Sequence, residues 1–149
     1  MARKKKFFNY EPYVKSLAEF MAKRIKLRPF PKIRISNRNQ GDDNVFIKTA
    51  WYDPSSKEVM LMVNKRHVKD VLRSLAHELI HHYQNLEGRL EEGSYNGQDI
   101  INDNKLMKLE EEAYLKGNIL FRSWTESIQN EIESEPTEHM RKHIKLNNK

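Results

Sequence analysis

The sequence predicts an α+β fold with an N-terminal helix, a small antiparallel or mixed sheet, and two longer helices packed on one face of that sheet. Three observations support this prediction. One amphipathic segment lies near the start, three short strand-like segments follow, and two long segments with helical periodicity fill the second half. The 149 residues fit one compact domain better than two.

The first helix is expected over residues 10–27, where apolar side chains recur at steps of three and four. These side chains are Val14, Leu17, Phe20, Met21 and Ile25. Pro29 and Pro31 follow, and proline cannot continue a helix. The helix must therefore end before them.

The strands are expected at 32–36, 45–52 and 58–64. Between the last two lies Asp-Pro-Ser-Ser-Lys at 53–57, a cluster of turn-forming residues. We therefore expect the second and third strands to form a hairpin.

Two further helices are expected at about 65–86 and 104–130. Asn64 precedes the first of them and is a candidate for its N-cap, since asparagine can accept a hydrogen bond from a free backbone N–H group. A connection rich in Gly, Asn and Asp, at 88–103, separates the two helices.

The charges are unevenly distributed along the chain. Residues 1–40 hold twelve Lys and Arg against two Glu, whereas residues 87–135 hold twelve Asp and Glu against five Lys and Arg. We predict a basic segment at 1–9, a single domain at 10–135 and a charged tail at 136–149. The basic segment could make a weak contact with nucleic acid or an acidic partner. Alternatively, its charges could serve only to keep the protein soluble.

Composition also limits the class of protein. The chain has no cysteine, so a disulfide framework and a thiolate metal site are excluded, and any metal must be held by histidines and carboxylates. No apolar run reaches the length of a signal peptide or a membrane helix. We therefore expect a cytoplasmic protein without a membrane partner.

The strongest motif is HExxH, formed by His77, Glu78 and His81 in the first of the long helices. The apolar stripe that should face the core of this helix consists of Val68, Val71, Leu72, Leu75, Leu79 and Leu86. Residues four apart differ by about 40° around a helix, so both imidazoles can bind one metal ion. Glu78 is about 100° away from His77 and can act as a base towards water on that metal.

A catalytic zinc ion needs a third protein ligand. The candidates are His67, His82, His139, His143, Glu110, Glu111 and Glu112. The apolar stripe of the last helix consists of Leu106, Ala113, Gly117, Leu120, Trp124 and Ile128. Glu110 falls within this stripe, about 40° from Leu106, whereas Glu111 and Glu112 lie about 140° and 240° away.

A carboxylate on an apolar face is costly unless it is paired or binds a metal, so Glu110 is the predicted third ligand. Ala113 and Gly117, one and two turns further on, would let the two helices approach closely. A salt bridge is the alternative explanation of Glu110. Glu111 is the next candidate, ahead of the histidines at 67 and 82, while the pair at 139 and 143 is typical of a charged surface helix.

HELIH followed about thirty residues later by Glu-Glu-Glu-Ala-Tyr resembles the gluzincin arrangement. In particular, it is similar to the ImmA/IrrE-like peptidases of phages and bacteria, whose downstream helix reads E-x-E-A-N. The resemblance implies a zincin-like fold, His77, His81 and Glu110 as zinc ligands, and Glu78 as general base. The sequence departs from the family at Tyr114, where Asn or Asp usually orients a histidine ligand.

The resemblance covers about 45–124 and implies a zinc-dependent endopeptidase. Its polypeptide substrate would lie extended along the strand at 58–64 or the strand at 45–52. Candidates for stabilising the oxyanion are His82, Tyr83 and Tyr114.

HELIHHYQ also resembles the SprT-like proteases, which use a downstream histidine as third ligand; here only His139 or His143 could serve. One alternative function is therefore a nucleic-acid-associated SprT-like protease. Another, suggested by the basic N-terminal part, is a basic nucleic-acid-binding module with a subsidiary metal site.

Overall fold

The computed structural model describes residues 9–38, 49–90 and 104–133. The helices are α1 (Glu11–Ala22), α2 (Val68–Leu86) and α3 (Asn104–Glu133). The strands are β1 (Lys32–Ser36), β2 (Ala50–Asp53) and β3 (Glu58–Met62). The predicted α+β class, with a helix before the sheet and two helices after it, is confirmed.

The sheet is mixed, with the strand order β1-β3-β2. β2 and β3 form the predicted antiparallel hairpin, in which Tyr52 lies opposite Val59. Lys57 completes the turn with a positive φ of 56°, and the carboxylate of Asp53 accepts a hydrogen bond from the backbone N–H of Ser55. β1 pairs parallel with the other side of β3, with Ile33 opposite Val59. Both edges of β3 are therefore paired.

Two predicted helix ends differ from the structure. α1 ends at Ala22 rather than at 27 because the backbone N–H groups of Arg24 and Ile25 both turn back to the carbonyl of Met21. This turn allows Leu27 to be buried in the core away from the helix.

The prediction that Asn64 caps α2 is wrong. Lys65, between β3 and the helix, adopts a positive φ of 57°, which a right-handed helix does not allow, so the helix cannot begin at this residue. The helix begins at Val68, and His67 is the N-cap: its Nδ1 accepts a hydrogen bond from the backbone N–H of Lys69 at 3.1 Å.

Several predictions fall outside the described residues. They concern the basic segment including Arg3–Lys6, the strand residues at 45–48, most of the connection at 88–103, and the tail with His139 and His143. None of the helices in the described residues combines the length and the hydrophobicity of a membrane-spanning segment.

The core lies where α2 packs between the sheet and α3. The predicted stripe of α2 is buried at Val71, Leu72, Leu75 and Leu79. α3 contributes Leu109, Ala113, Phe121 and Trp124, of which Leu109 and Phe121 were not in the predicted stripe. Leu17 and Met21 of α1 are also fully buried and complete the core.

Gly117 brings α3 against the backbone of α2. A Cβ atom at this position would lie 3.2 Å from both Cα and N of His77 and 3.4 Å from the carbonyl carbon of Ala76. These are backbone atoms of a helix and cannot rotate away as a side chain can. The expectation that a glycine here permits close approach of the two helices is confirmed.

Gly117→Val should therefore destabilise the protein, because the side chain would force α3 away from α2. We expect a loss of about 1–3 kcal/mol in the free energy of unfolding, measured by urea denaturation. Asn118→Val is the matched control: it places the same side chain on the exposed neighbouring position and should change stability by about 0.5 kcal/mol or less. Equal losses in both variants would contradict the close-approach explanation.

Candidate metal centre

His77 and His81 lie one turn apart on the face of α2 that meets α3. Their ring centroids are 5.0 Å apart, and the rings are nearly perpendicular. Glu110 of α3 reaches both: its Oε1 lies 2.6 Å from Nε2 of His77, and its Oε2 lies 3.1 Å from Nε2 of His81. The structure thus brings together the three residues that the sequence singles out as ligands.

These three side chains could hold a metal ion. One ligand atom from each residue can be chosen so that all three lie within 4.8 Å of one another. Two imidazole nitrogens and one carboxylate oxygen are a donor set that suits zinc, with a further coordination position left for water. The group is His77, His81 and Glu110, drawn from two helices in contact.

The carboxylate of Glu110 is strongly held in its ionised form. Burial acts to raise its pKa, but the hydrogen bonds and positive charges of His77 and His81 outweigh burial and lower the pKa to about 2. For His81, burial acts to lower the pKa, yet the carboxylates of Glu110 and Glu78 raise it overall. The site therefore concentrates negative charge around two imidazoles, which favours a cation.

Glu78 is buried on α2 close to these groups, with 8% of its surface exposed. Burial raises its pKa, while the positive charges of His81 and His77 act in the opposite direction. A carboxyl group whose pKa is raised by desolvation is better suited to accept and return a proton near neutral pH than an exposed one. This position and environment fit the general base predicted from the motif.

His82 follows His81 directly but points to the other side of α2. Its Nδ1 lies 2.8 Å from the hydroxyl of Tyr52, and its Nε2 lies 2.8 Å from the carbonyl of Pro29 and 3.2 Å from that of Leu27. Since carbonyl oxygens only accept, Nε2 carries the proton and Nδ1 accepts from Tyr52. His82 is fully buried in this arrangement. The predictions that His82 could be the third metal ligand or could donate a hydrogen bond to the oxyanion are therefore wrong.

The other candidate ligands also have different surroundings. His67 caps the N-terminus of α2, more than two turns before His77. Glu111 is exposed, as its helical phase predicted. Glu112 accepts hydrogen bonds from Arg89 and from Gln84.

Two tyrosines were candidates for stabilising an oxyanion. The ring centroid of Tyr114 lies 4.4 Å from that of His77, and 61% of the residue is exposed, so Tyr114 lies on the solvent-exposed side of His77. Tyr83 instead packs under the cationic groups of Arg89 and Lys116. Of the two tyrosines, Tyr114 is therefore the one that borders the candidate metal centre.

Sequence reasoning missed Gln84. Its Oε1 lies 2.9 Å from Nδ1 of His81, and the residue is fully buried. The available signal was its position three residues after His81, which places both side chains on neighbouring parts of one helix face.

No protein-family profile, curated protein or solved structure matches this chain. The residues and their geometry must therefore support any assignment by themselves.

Glu110→Gln should weaken zinc binding substantially, because the amide lacks the charge that neutralises the cation. Zinc content after dialysis and affinity in competition with a chelator would measure the loss. Glu111→Gln removes the same charge from the adjacent, exposed position and should leave zinc binding near wild type. If Glu111→Gln is the variant that loses zinc, the assignment of Glu110 is wrong.

His82→Ala should destabilise the fold by about 1–3 kcal/mol, because Tyr52 and two backbone carbonyls lose a buried partner. Zinc affinity at a temperature where the variant is folded should remain unchanged. His81→Ala, one residue earlier, should lose zinc. Equal loss of zinc in both variants would place His82 at the metal centre after all.

Proposed function

We propose that this chain is a zinc-dependent endopeptidase of the gluzincin type. The observation that carries the proposal is the shared carboxylate of Glu110, which reaches from α3 to Nε2 of both His77 and His81 at 2.6 Å and 3.1 Å. HExxH supplies the two histidines and an adjacent glutamate on one turn of helix. A glutamate from a later helix completes the proposed ligand set.

Zinc bound by these residues would polarise the scissile carbonyl and lower the pKa of bound water. Glu78 would accept a proton from the attacking water and pass it to the leaving amine. The burial that raises its pKa supports this role, because it brings the carboxylate closer to the proton affinity that the transfer requires. A purely structural metal would need no such base beside its ligands.

The architecture is compatible with a minimal zincin-like domain, in which a helix bearing the motif packs on a small sheet. The tight contact between α2 and α3 at Gly117 supports a rigid ligand set, since both ligand-bearing helices are held backbone to backbone. Glu110 also favours the gluzincin over the SprT-like arrangement. Among the described residues, the group able to hold a metal contains no third histidine.

The polypeptide substrate would bind in extended form along the outer edge of β2. This edge is favoured over the strand at 58–64, because β3 already pairs with β1 on one side and β2 on the other. Within the described part of the chain, β2 pairs on one side only. Its backbone could then add a substrate strand by hydrogen bonding.

Glu78→Gln tests the proposed chemistry. The amide keeps the size of the side chain but cannot accept the proton, so hydrolysis of a peptide substrate should fall by about 10²–10⁴-fold. Zinc content and thermal stability should remain near wild type, because Glu78 is not a ligand. The control is His77→Ala, which should lose zinc and activity together, with some stability, because metal binding is linked to folding.

Cleavage by Glu78→Gln at the wild-type rate would contradict the role of Glu78 as base. Loss of zinc in this variant would instead show that Glu78 holds the metal centre together. A proteomic cleavage-site screen with the wild-type protein, using Glu78→Gln as background, would then identify the sequences that are cut.

A further inference from the structure

Gln84 lies at the centre of a buried hydrogen-bond network between α2 and α3. None of its surface is exposed. Its Oε1 lies 2.9 Å from Nδ1 of His81, while its Nε2 lies 2.8 Å from the carbonyl oxygen of Leu109 and 2.9 Å from Oε1 of Glu112. One side chain therefore connects a predicted ligand on α2 to the backbone and a carboxylate of α3.

The network fixes the orientation of the Gln84 amide. The carbonyl of Leu109 and an ionised carboxylate only accept hydrogen bonds, so both must face the NH₂ group. The reversed amide would set its oxygen against two other oxygens. The carbonyl oxygen of Gln84 is thereby directed at His81 and cannot be exchanged for a donor.

Glu112 is itself held as an acceptor. Arg89 contacts it through both terminal nitrogens, Nη1 at 3.1 Å and Nη2 at 2.8 Å. The guanidinium of Arg89 thereby holds the carboxylate of Glu112 in place opposite the amide of Gln84.

Because Gln84 can offer only an oxygen, Nδ1 of His81 must carry a proton and donate it. The other nitrogen, Nε2, is the one that faces Glu110 at 3.1 Å. In this tautomer the lone pair of the neutral ring is on Nε2, so a metal ion would bind there without any change in the tautomer or in the plane of the imidazole.

We propose that Gln84 is a positioning residue that fixes the tautomer and ring orientation of His81 for binding zinc through Nε2. This inference rests on the proposed function. The gluzincin resemblance leads one to expect Asn or Asp at position 114 to orient a histidine ligand. The inference assigns that orienting contact to Gln84 instead. Here Tyr114 packs its ring against His77, and the orienting group comes from the same helix as the ligand.

Gln84→Met tests the inference, because methionine has a similar length but cannot accept the hydrogen bond from His81. We expect zinc affinity, measured by competition with a chromogenic chelator, to fall about 10- to 100-fold. Asn85→Leu is the matched control. The Asn85 amide donates to Tyr52 and to the carbonyl of Pro54, on the other side of α2, so its loss should reduce stability but leave zinc affinity unchanged.

Nitrogen-15 NMR of the zinc-loaded wild-type protein is a second test, and it measures directly which nitrogen of His81 binds the metal. This measurement does not require any variant to fold. The imidazole of His81 should show Nε2 bound to the metal and Nδ1 protonated, with slow exchange of the Nδ1 proton with water. In Gln84→Met this proton should exchange faster. A His81 ring that binds through Nδ1 would overturn the inference.

The outcomes separate the two proposals. A wild-type protein that binds no zinc contradicts the proposed function, and with it the basis for the role of Gln84. A wild-type protein that binds zinc, together with a folded Gln84→Met of equal affinity, contradicts the inference alone. Equal losses of affinity in Gln84→Met and Asn85→Leu would show a general effect of stability and would also overturn it.

Discussion

The contact between α2 and α3 at Gly117 is the constraint on which the site depends. The absent side chain at this position lets the backbone of α3 lie against the backbone of His77. From there Glu110, two turns earlier on α3, reaches Nε2 of both histidines. Wider spacing of the helices would leave a carboxylate on an apolar face without a partner, which is costly.

The consecutive histidines His81 and His82 make contacts on different sides of α2, because a helix turns by about 100° per residue. His81 faces α3 and Glu110, whereas His82 faces the sheet and the chain between α1 and β1. Asn85 strengthens the second contact by donating to Tyr52 of β2. The helix is thereby fixed on both sides, and the candidate metal centre keeps a defined position relative to the sheet.

Helical periodicity predicted much of this arrangement. It identified α2 and α3, and it separated Glu110 from Glu111 by phase alone, because burial on a helix depends on angle. It could not predict that His67 rather than Asn64 caps α2, since a positive φ at Lys65 decides where the helix starts. Nor could it predict the central position of β3, because pairing with β1 joins segments distant in the chain. Whether a gluzincin activity accompanies the site stays a prediction.

The same centre has a consequence for a chain without cysteines. A metal held by His77, His81 and Glu110 would join positions 33 residues apart in sequence. In the unfolded chain, a cross-link over a loop of that size removes conformational entropy worth about 3–4 kcal/mol by the polymer model used for disulfides. The chain has no disulfide that could close the loop between its two ligand-bearing helices. A bound metal would act there as a reversible cross-link. Its formation would depend on the supply of metal rather than on redox conditions.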